Sequence, residues 1–111
     1  MKVLLVGKPR SGKTKAVEKL FNKPENPNYE PTKGADVYNY KNAKDKDIYI
    51  WDTAGNPNYA GLDDAYYIGA HICINFSNNR GFEDKVRRIV PDVKVYNYNK
   101  IKNLKEFLNK I

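Results

Sequence analysis

Lys2-Val3-Leu4-Leu5-Val6-Gly7-Lys8-Pro9-Arg10-Ser11-Gly12-Lys13-Thr14 opens the chain and decides its fold. The apolar run Val3 to Val6, ended by Gly7, is what a strand buried on both faces requires. From Lys13 to Asn22 the apolar residues Ala16, Val17, Leu20 and Phe21 recur at helical spacing, so one helix face packs inward. Between strand and helix, Gly7 to Thr14 satisfies G-x-x-x-x-G-K-[ST] at every position. Such a loop turns its backbone N–H groups inward as an anion nest, and the helix that follows adds the partial positive charge of its N-terminus. Gly12 lets the backbone approach a phosphate with no Cβ in the way. Lys13 is expected to reach the β- and γ-phosphates and Thr14 to give its hydroxyl to Mg²⁺. The phosphate-binding set is thus Gly7, Arg10, Ser11, Gly12, Lys13, Thr14 and Lys15. The competing reading, a chance match in a strand-loop-helix without function, must explain why motif and context agree.

Outward from this unit, Pro24, Pro27 and Pro31 with Asn26 and Asn28 between them forbid regular structure, so a loop follows the helix. Asp36 to Lys41 and Asp47 to Trp51 read as strands, joined as a hairpin by the polar run Asn42 to Lys46. Gly55 to Asn58 breaks the pattern, and Leu62 to Tyr67 suits a short helix. Ile72 to Phe76 is another buried-type strand. Phe82 to Val90 suits a helix with Phe82, Val86, Ile89 and Val90 inward, stopped by Pro91. Val93 to Tyr96 is a last strand and Leu104 to Leu108 a terminal helix. Strands alternating with helices predict an α/β fold of the P-loop type: a mostly parallel sheet of about five strands with one antiparallel edge strand. Ligand sites in such sheets lie beyond the carboxyl ends of the strands.

At 111 residues the chain is expected to form one domain, residues 1–111. The net charge of +7 is uneven: residues 1–23 carry +6, residues 24–79 carry −4 and residues 80–111 carry +5. Basic ends can attract nucleic acid, but no interleaved aromatic-basic motif accompanies them, so solvated helix faces are the preferred reading and nucleic acid is not expected as a partner. No apolar stretch approaches the length of a membrane span, and no cysteine near the end offers a lipid anchor. Cys73 lies in an apolar run, as a buried thiol in a reducing compartment would, and a cytoplasmic or nuclear location is expected.

Two further segments carry chemistry. Trp51-Asp52-Thr53-Ala54-Gly55 ends the third strand, where Asp52 can hold Mg²⁺ directly or through water and Gly55 can offer its N–H to a γ-phosphate. In the proline-rich loop, Thr32 can bring a second hydroxyl to Mg²⁺ and its N–H to the γ-phosphate. A loop held this way is ordered only while the γ-phosphate is present.

These segments, in this order, resemble the Ras superfamily of small GTPases, closest to its Ran and Rab branches. Trp51 to Gly55, then Gly61-Leu62 and Ala65-Tyr66-Tyr67-Ile68, are similar to that family's second switch and second helix. Thr32-Lys33-Gly34-Ala35-Asp36-Val37 is similar to its first switch. The resemblance runs from residue 1 to about residue 100. It implies GTP or GDP as ligand and Mg²⁺ held by Thr14 and Thr32, with Asp52 acting through water. It also implies effector or regulator contacts through residues 24–35 and 55–67.

The departures from the pattern bear on activity. The family's water-orienting glutamine is here Asn56, one methylene shorter and followed by Pro57. Asn56 and Lys13 are the candidate catalytic residues, and weak, slow GTP hydrolysis is expected because phosphoryl transfer depends on positioning. Pro9 and Arg10 replace small residues; Arg10 is either a γ-phosphate ligand or a solvated side chain. The guanine-reading N-K-x-D run has its nearest match in Asn99-Lys100-Ile101-Lys102, with lysine where the aspartate belongs, and Asn97 offers another register without an aspartate. Asn99 and Lys100 are the candidate base-binding residues. A cation cannot accept the guanine hydrogens, so ATP is expected to compete with GTP. No last strand and helix of the family follow, and the bare sheet edge is expected to invite pairing with a second copy or a partner.

Three functions remain open at this level: a slow small-GTPase switch, a non-catalytic nucleotide-binding decoy with the same surface, and a P-loop NTPase or kinase of relaxed base choice. A kinase needs an acceptor segment and a lid for which this chain has little room.

Overall fold

The computed structural model describes residues 1–7, 12–21, 35–53, 66–77 and 79–111. These residues form strands β1 (Lys2–Val6), β2 (Ala35–Lys41), β3 (Asp47–Thr53), β4 (Ile72–Asn75) and β5 (Lys94–Asn97). The helices are α1 (Lys13–Phe21), α2 (Arg80–Ile89), α3 (Tyr98–Ile101) and α4 (Leu104–Lys110). The strands join in one sheet of order β2-β3-β1-β4-β5. β1 runs parallel to β3 and β4, β4 runs parallel to β5, and only the β2–β3 hairpin is antiparallel. This is the α/β sheet with one antiparallel edge strand read from the sequence.

The central strand explains the layering. Val3, Leu4, Leu5 and Val6 are fully buried because both sheet faces are covered. On one face Val3 and Leu5 meet Ala16, Val17 and Leu20 of α1, together with Leu104 and Leu108 of α4. On the other, Leu4, Val6 and Cys73 meet Tyr67 and, from α2, Val86.

Four local differences from the sequence reading have identifiable causes. β3 runs to Thr53 rather than ending at Trp51, because pairing with β2 continues through Ala35 opposite Thr53. α2 begins at Arg80 because the Asn79 side chain accepts from Gly81 N at 2.8 Å and caps it. Val86 is its buried residue, while Phe82, Ile89 and Val90 are half-buried against the same cluster. α3 was not expected: the Asn97 side chain caps it by accepting from Asn99 N at 3.0 Å, and Lys102 in the left-handed region (φ 57°) ends it. α4 is longer than the Leu104 to Leu108 of the sequence reading, and Asn103 caps it.

The β2–β3 turn is tied to α4. Asn42 is buried, accepts from Lys44 N and Lys46 N, and donates from Nδ2 to the Leu108 carbonyl at 2.9 Å. Tyr40 Oη donates to Asn109 Oδ1 at 3.0 Å. The expected helix Leu62 to Tyr67 lies mostly outside the described residues; its last two residues, Tyr66 and Tyr67, are helical. Among the described residues no helix is long and apolar enough to cross a membrane.

Candidate phosphate-binding site

β1 delivers Gly7 to the carboxyl edge of the sheet at its centre, and α1 departs from Gly12 and Lys13. Gly12 adopts φ +100°, a conformation that strains any residue with a Cβ, and its carbonyl accepts from Ala16 N at 3.0 Å to begin the helix. The second glycine of the motif is therefore required by the turn itself, as well as by any close ligand approach.

Lys13 is only 7% exposed. Its ammonium donates to the Gly7 carbonyl at 2.9 Å, spanning from the helix to the first residue of the loop. Burial lowers its pKa, and the negative charge of Asp52 opposes that shift. Asp52, 6% exposed, lies beside Leu5 in the parallel β1–β3 register, two residues before Gly7. Next to it, Thr53 Oγ1 donates to the Leu5 carbonyl at 2.8 Å and locks the end of β3 against β1. A buried ammonium and a buried carboxylate thus stand together at the start of the loop, the kind of fixed charge that polyphosphate binding uses.

Opposite Asp52 across the hairpin stands Asp36. Its Oδ1 is buried without a hydrogen-bond partner among the described residues, and burial raises its pKa. The sequence reading placed Asp36 at the start of a hairpin strand and within a switch-like segment, without a site role. Its register with Asp52 depends on the hairpin pairing, which spacing alone does not reveal.

Of the other residues expected at the site, Lys15 is exposed on α1. Thr14 has its backbone in α1, and its side chain lies outside the described residues, as do Arg10, Ser11, Thr32, Gly55 and Asn56 in full. Asn99 and Lys100, the candidate base-binding pair, are exposed on α3, which follows β5, two strands from β1 in the sheet.

A family profile described as "Ras of Complex, Roc, domain of DAPkinase" matches residues 2–111. The chain belongs to this Roc family, within the Ras superfamily of small GTPases. Among individual proteins it is 33% identical over 89 residues to the Ypt/Rab-type GTPase avaA of Emericella nidulans, an overlap of 75% of this chain and 43% of that protein. It is 30% identical over 89 residues to the Ypt/Rab-type GTPase ypt7 of Schizosaccharomyces pombe, with the same coverage of 75% and 43%. Against the Ras-related protein RABG3e of Arabidopsis thaliana it is 33% identical over 91 residues, 76% of this chain and 44% of the relative. The chain spans less than half the length of the curated relatives it matches. The Rab-type likeness read from residues 51–68 is borne out by these matches.

Proposed function

We propose that residues 1–111 act as one guanine-nucleotide-binding domain that holds GTP or GDP with Mg²⁺ and hydrolyses GTP slowly. The observation that carries this reading is the buried Lys13 ammonium on the Gly7 carbonyl, with the Asp52 carboxylate beside it. A polyphosphate tail replaces the carbonyl as the partner of Lys13 and takes further hydrogen bonds from the main-chain N–H groups of the loop, Pro9 excepted. Roc-family membership and Rab-type relatives support guanine nucleotide as the ligand.

The donor set proposed for the metal, Thr14, Thr32 and Asp52, consists of oxygen ligands throughout, as Mg²⁺ prefers. The buried carboxylate of Asp52, at the end of β3 nearest the loop, fits that role. When bound, Mg²⁺ would neutralise phosphate charge during transfer. The remaining work falls to the chain's own groups. Lys13 holds phosphate oxygens in place, Gly55 and Thr32 offer N–H groups to the γ-phosphate, and Asn56 orients the attacking water from a shorter side chain than the glutamine it replaces.

Residues 24–35 and 55–67 are the proposed surfaces for effectors or regulators. Exposed Val37, two residues after the first segment, and Ile68, directly after the second, support this by offering apolar area near both. The buried Cys73 thiol suits a reducing, cytoplasmic setting.

A second reading, relaxed base choice with ATP competing, is favoured by Lys102, which occupies the left-handed C-cap of α3 where an acceptor is needed. A non-catalytic decoy differs from the switch only in turnover. Identifying the nucleotide released from purified protein on denaturation tests the ligand, and guanine nucleotide is expected. Single-turnover assays with Mg²⁺·GTP test hydrolysis. Slow turnover, reduced further in Asn56→Ala, fits the switch; no turnover fits the decoy; brisk turnover contradicts the role given to Asn56.

A further inference from the structure

Lys2 opens β1 at the end of the strand opposite Gly7, and hydrogen bonds tie it to the segment that leads into β4. Its backbone N–H donates to His71 Nδ1 at 3.0 Å, and its carbonyl accepts from His71 N at 3.0 Å. Its ammonium donates to the Ile68 carbonyl at 2.9 Å. Ile68 directly follows the helical residues Tyr66 and Tyr67, and Gly69 at φ +81° turns the chain away from that helix. Within this turn Ala70 N donates to the Tyr67 carbonyl at 3.1 Å. The Ile68 carbonyl is one of the groups that a helix end leaves without a partner in its own ladder. A cation suits it, because carbonyl dipoles at a helix C-terminus carry partial negative charge.

The same ammonium lies 4.1 Å from the centroid of the Trp51 ring. Trp51 in turn packs on Tyr66, with centroids 5.7 Å apart and planes inclined by 40°. Both rings are half-buried at the margin of the cluster that holds Leu4 and Val6, and Tyr67 is buried inside it. Lys2 is itself half-buried, and burial lowers its pKa. A cation gains more from an aromatic face as water is excluded, and tryptophan is the best face for it.

The contact joins three places that the sequence keeps apart: the start of β1, Trp51 of β3, and the end of the segment 55–67. At its near end that segment leaves β3, where Thr53 Oγ1 is locked onto the Leu5 carbonyl at 2.8 Å. Residues 54–65 thus run between two fastenings on β1, one at Leu5 beside Asp52 and one at Lys2.

We propose that Lys2 is a positioning residue for the partner surface at residues 55–67. Its ammonium fastens Ile68 and Trp51 together, holds Tyr66 against Trp51, and gives that surface a fixed far end about which nucleotide exchange moves it. This rests on the nucleotide reading above, in which Gly55 meets the γ-phosphate at the near end of the same segment. None of the Lys2 contacts described involves Lys13 or Asp52, so Lys2 acts on the surface and leaves nucleotide affinity alone.

Trp51 is the one tryptophan of the chain, so its emission reports on this contact directly. The test compares the wild type with Lys2→Met, which keeps an unbranched side chain and removes the charge, and with Lys2→Arg, which keeps a cationic donor. In ligand-free protein, acrylamide quenching of Trp51 should rise about two-fold or more in Lys2→Met and stay at the wild-type level in Lys2→Arg. With Mg²⁺ present, exchanging GDP for a non-hydrolysable GTP analogue should change Trp51 emission in the wild type and in Lys2→Arg. Lys2→Met should lose at least about half of that change while binding both nucleotides within about two-fold of the wild type. Unaltered quenching or an unaltered emission change in Lys2→Met would overturn the proposal, as would wild-type emission that ignores exchange of a bound nucleotide. Failure of the wild type to bind either nucleotide would overturn the phosphate reading, and the ligand-free quenching would still decide the contact of Lys2 with Trp51. If Lys2→Met does not fold, proton spectra of the wild type decide. Lys2 ε-methylene protons shifted upfield by the Trp51 ring support the fastening, and ordinary lysine shifts refute it.

Discussion

The two sides of the sheet's carboxyl edge are built differently. Around β1 and β3, the side proposed to take phosphate is a central strand pair with Leu5 fully buried, a buried ammonium and a buried carboxylate. Around β5 and α3, which carries the candidate base residues Asn99 and Lys100, stand an edge strand and a four-residue helix with exposed or half-exposed side chains. Charges must be fixed in place to hold phosphate, because a mobile ammonium gives up most of its advantage to water. The chain thus fixes buried charge at its central strands and leaves exposed or half-exposed side chains on α3 at the edge.

The contrast can be broken by packing mutations. Leu5→Ala is expected to cost about 2–5 kcal/mol in denaturant unfolding, as at other fully buried leucines. Ile101→Ala, on the half-buried α3, should cost about half of that or less. Equal losses would remove the distinction between the two sides.

Burial at the central strands is also legible in Cys73, whose thiol is pushed up to about 12, first by burial, with Glu83 adding and Arg87 opposing. The folded value lies above the ordinary 9.0, so the associated stability is complete below pH 9 and is lost as pH rises through about 12. The unfolding midpoint should therefore fall with increasing pH above 9, and Cys73→Ala should flatten that slope. At pH 8 a thiol reagent should label Cys73 only at the rate of unfolding.

Smaller effects sharpen the comparison. Thr53→Val removes the bond to the Leu5 carbonyl and should cost about 1 kcal/mol of stability. Lys102→Asp returns an acceptor to the base side and should raise the preference for GDP over ADP by roughly ten-fold, read by calorimetry. Lys100→Ala, at an exposed position on α3, should change GDP affinity by no more than about two-fold. A larger loss would restore Lys100 as a base contact.

The phosphate side was legible in the sequence because its parts are local: Gly7, Gly12 and Lys13 lie within one strand-loop-helix, and the φ of Gly12 follows from the glycine placed there. Asp52 was found through its position after a strand. The arrangement at the ends of β4 and β5 is not legible for the opposite reason. Phe76 and Tyr98 are 22 positions apart and meet only because β4 and β5 pair in parallel, Asn75 beside Asn97. α3 is not legible because a single turn has no periodicity to read, and its cap, Asn97, serves in sequence as a candidate register for base recognition. The docking of Asn42 on Leu108 likewise joins residues 66 apart in the chain.

In the proposed function a buried ammonium and the loop's main-chain N–H groups hold a polyphosphate. Titration of Mg²⁺·GTP into the wild type and into Lys13→Ala, each shown to be folded by its melting transition, tests it most directly. The predicted result is saturable binding by the wild type and a loss of about 10- to 100-fold or more in Lys13→Ala, the worth of a charge-assisted contact to phosphate. Equal affinity in the two proteins would contradict it.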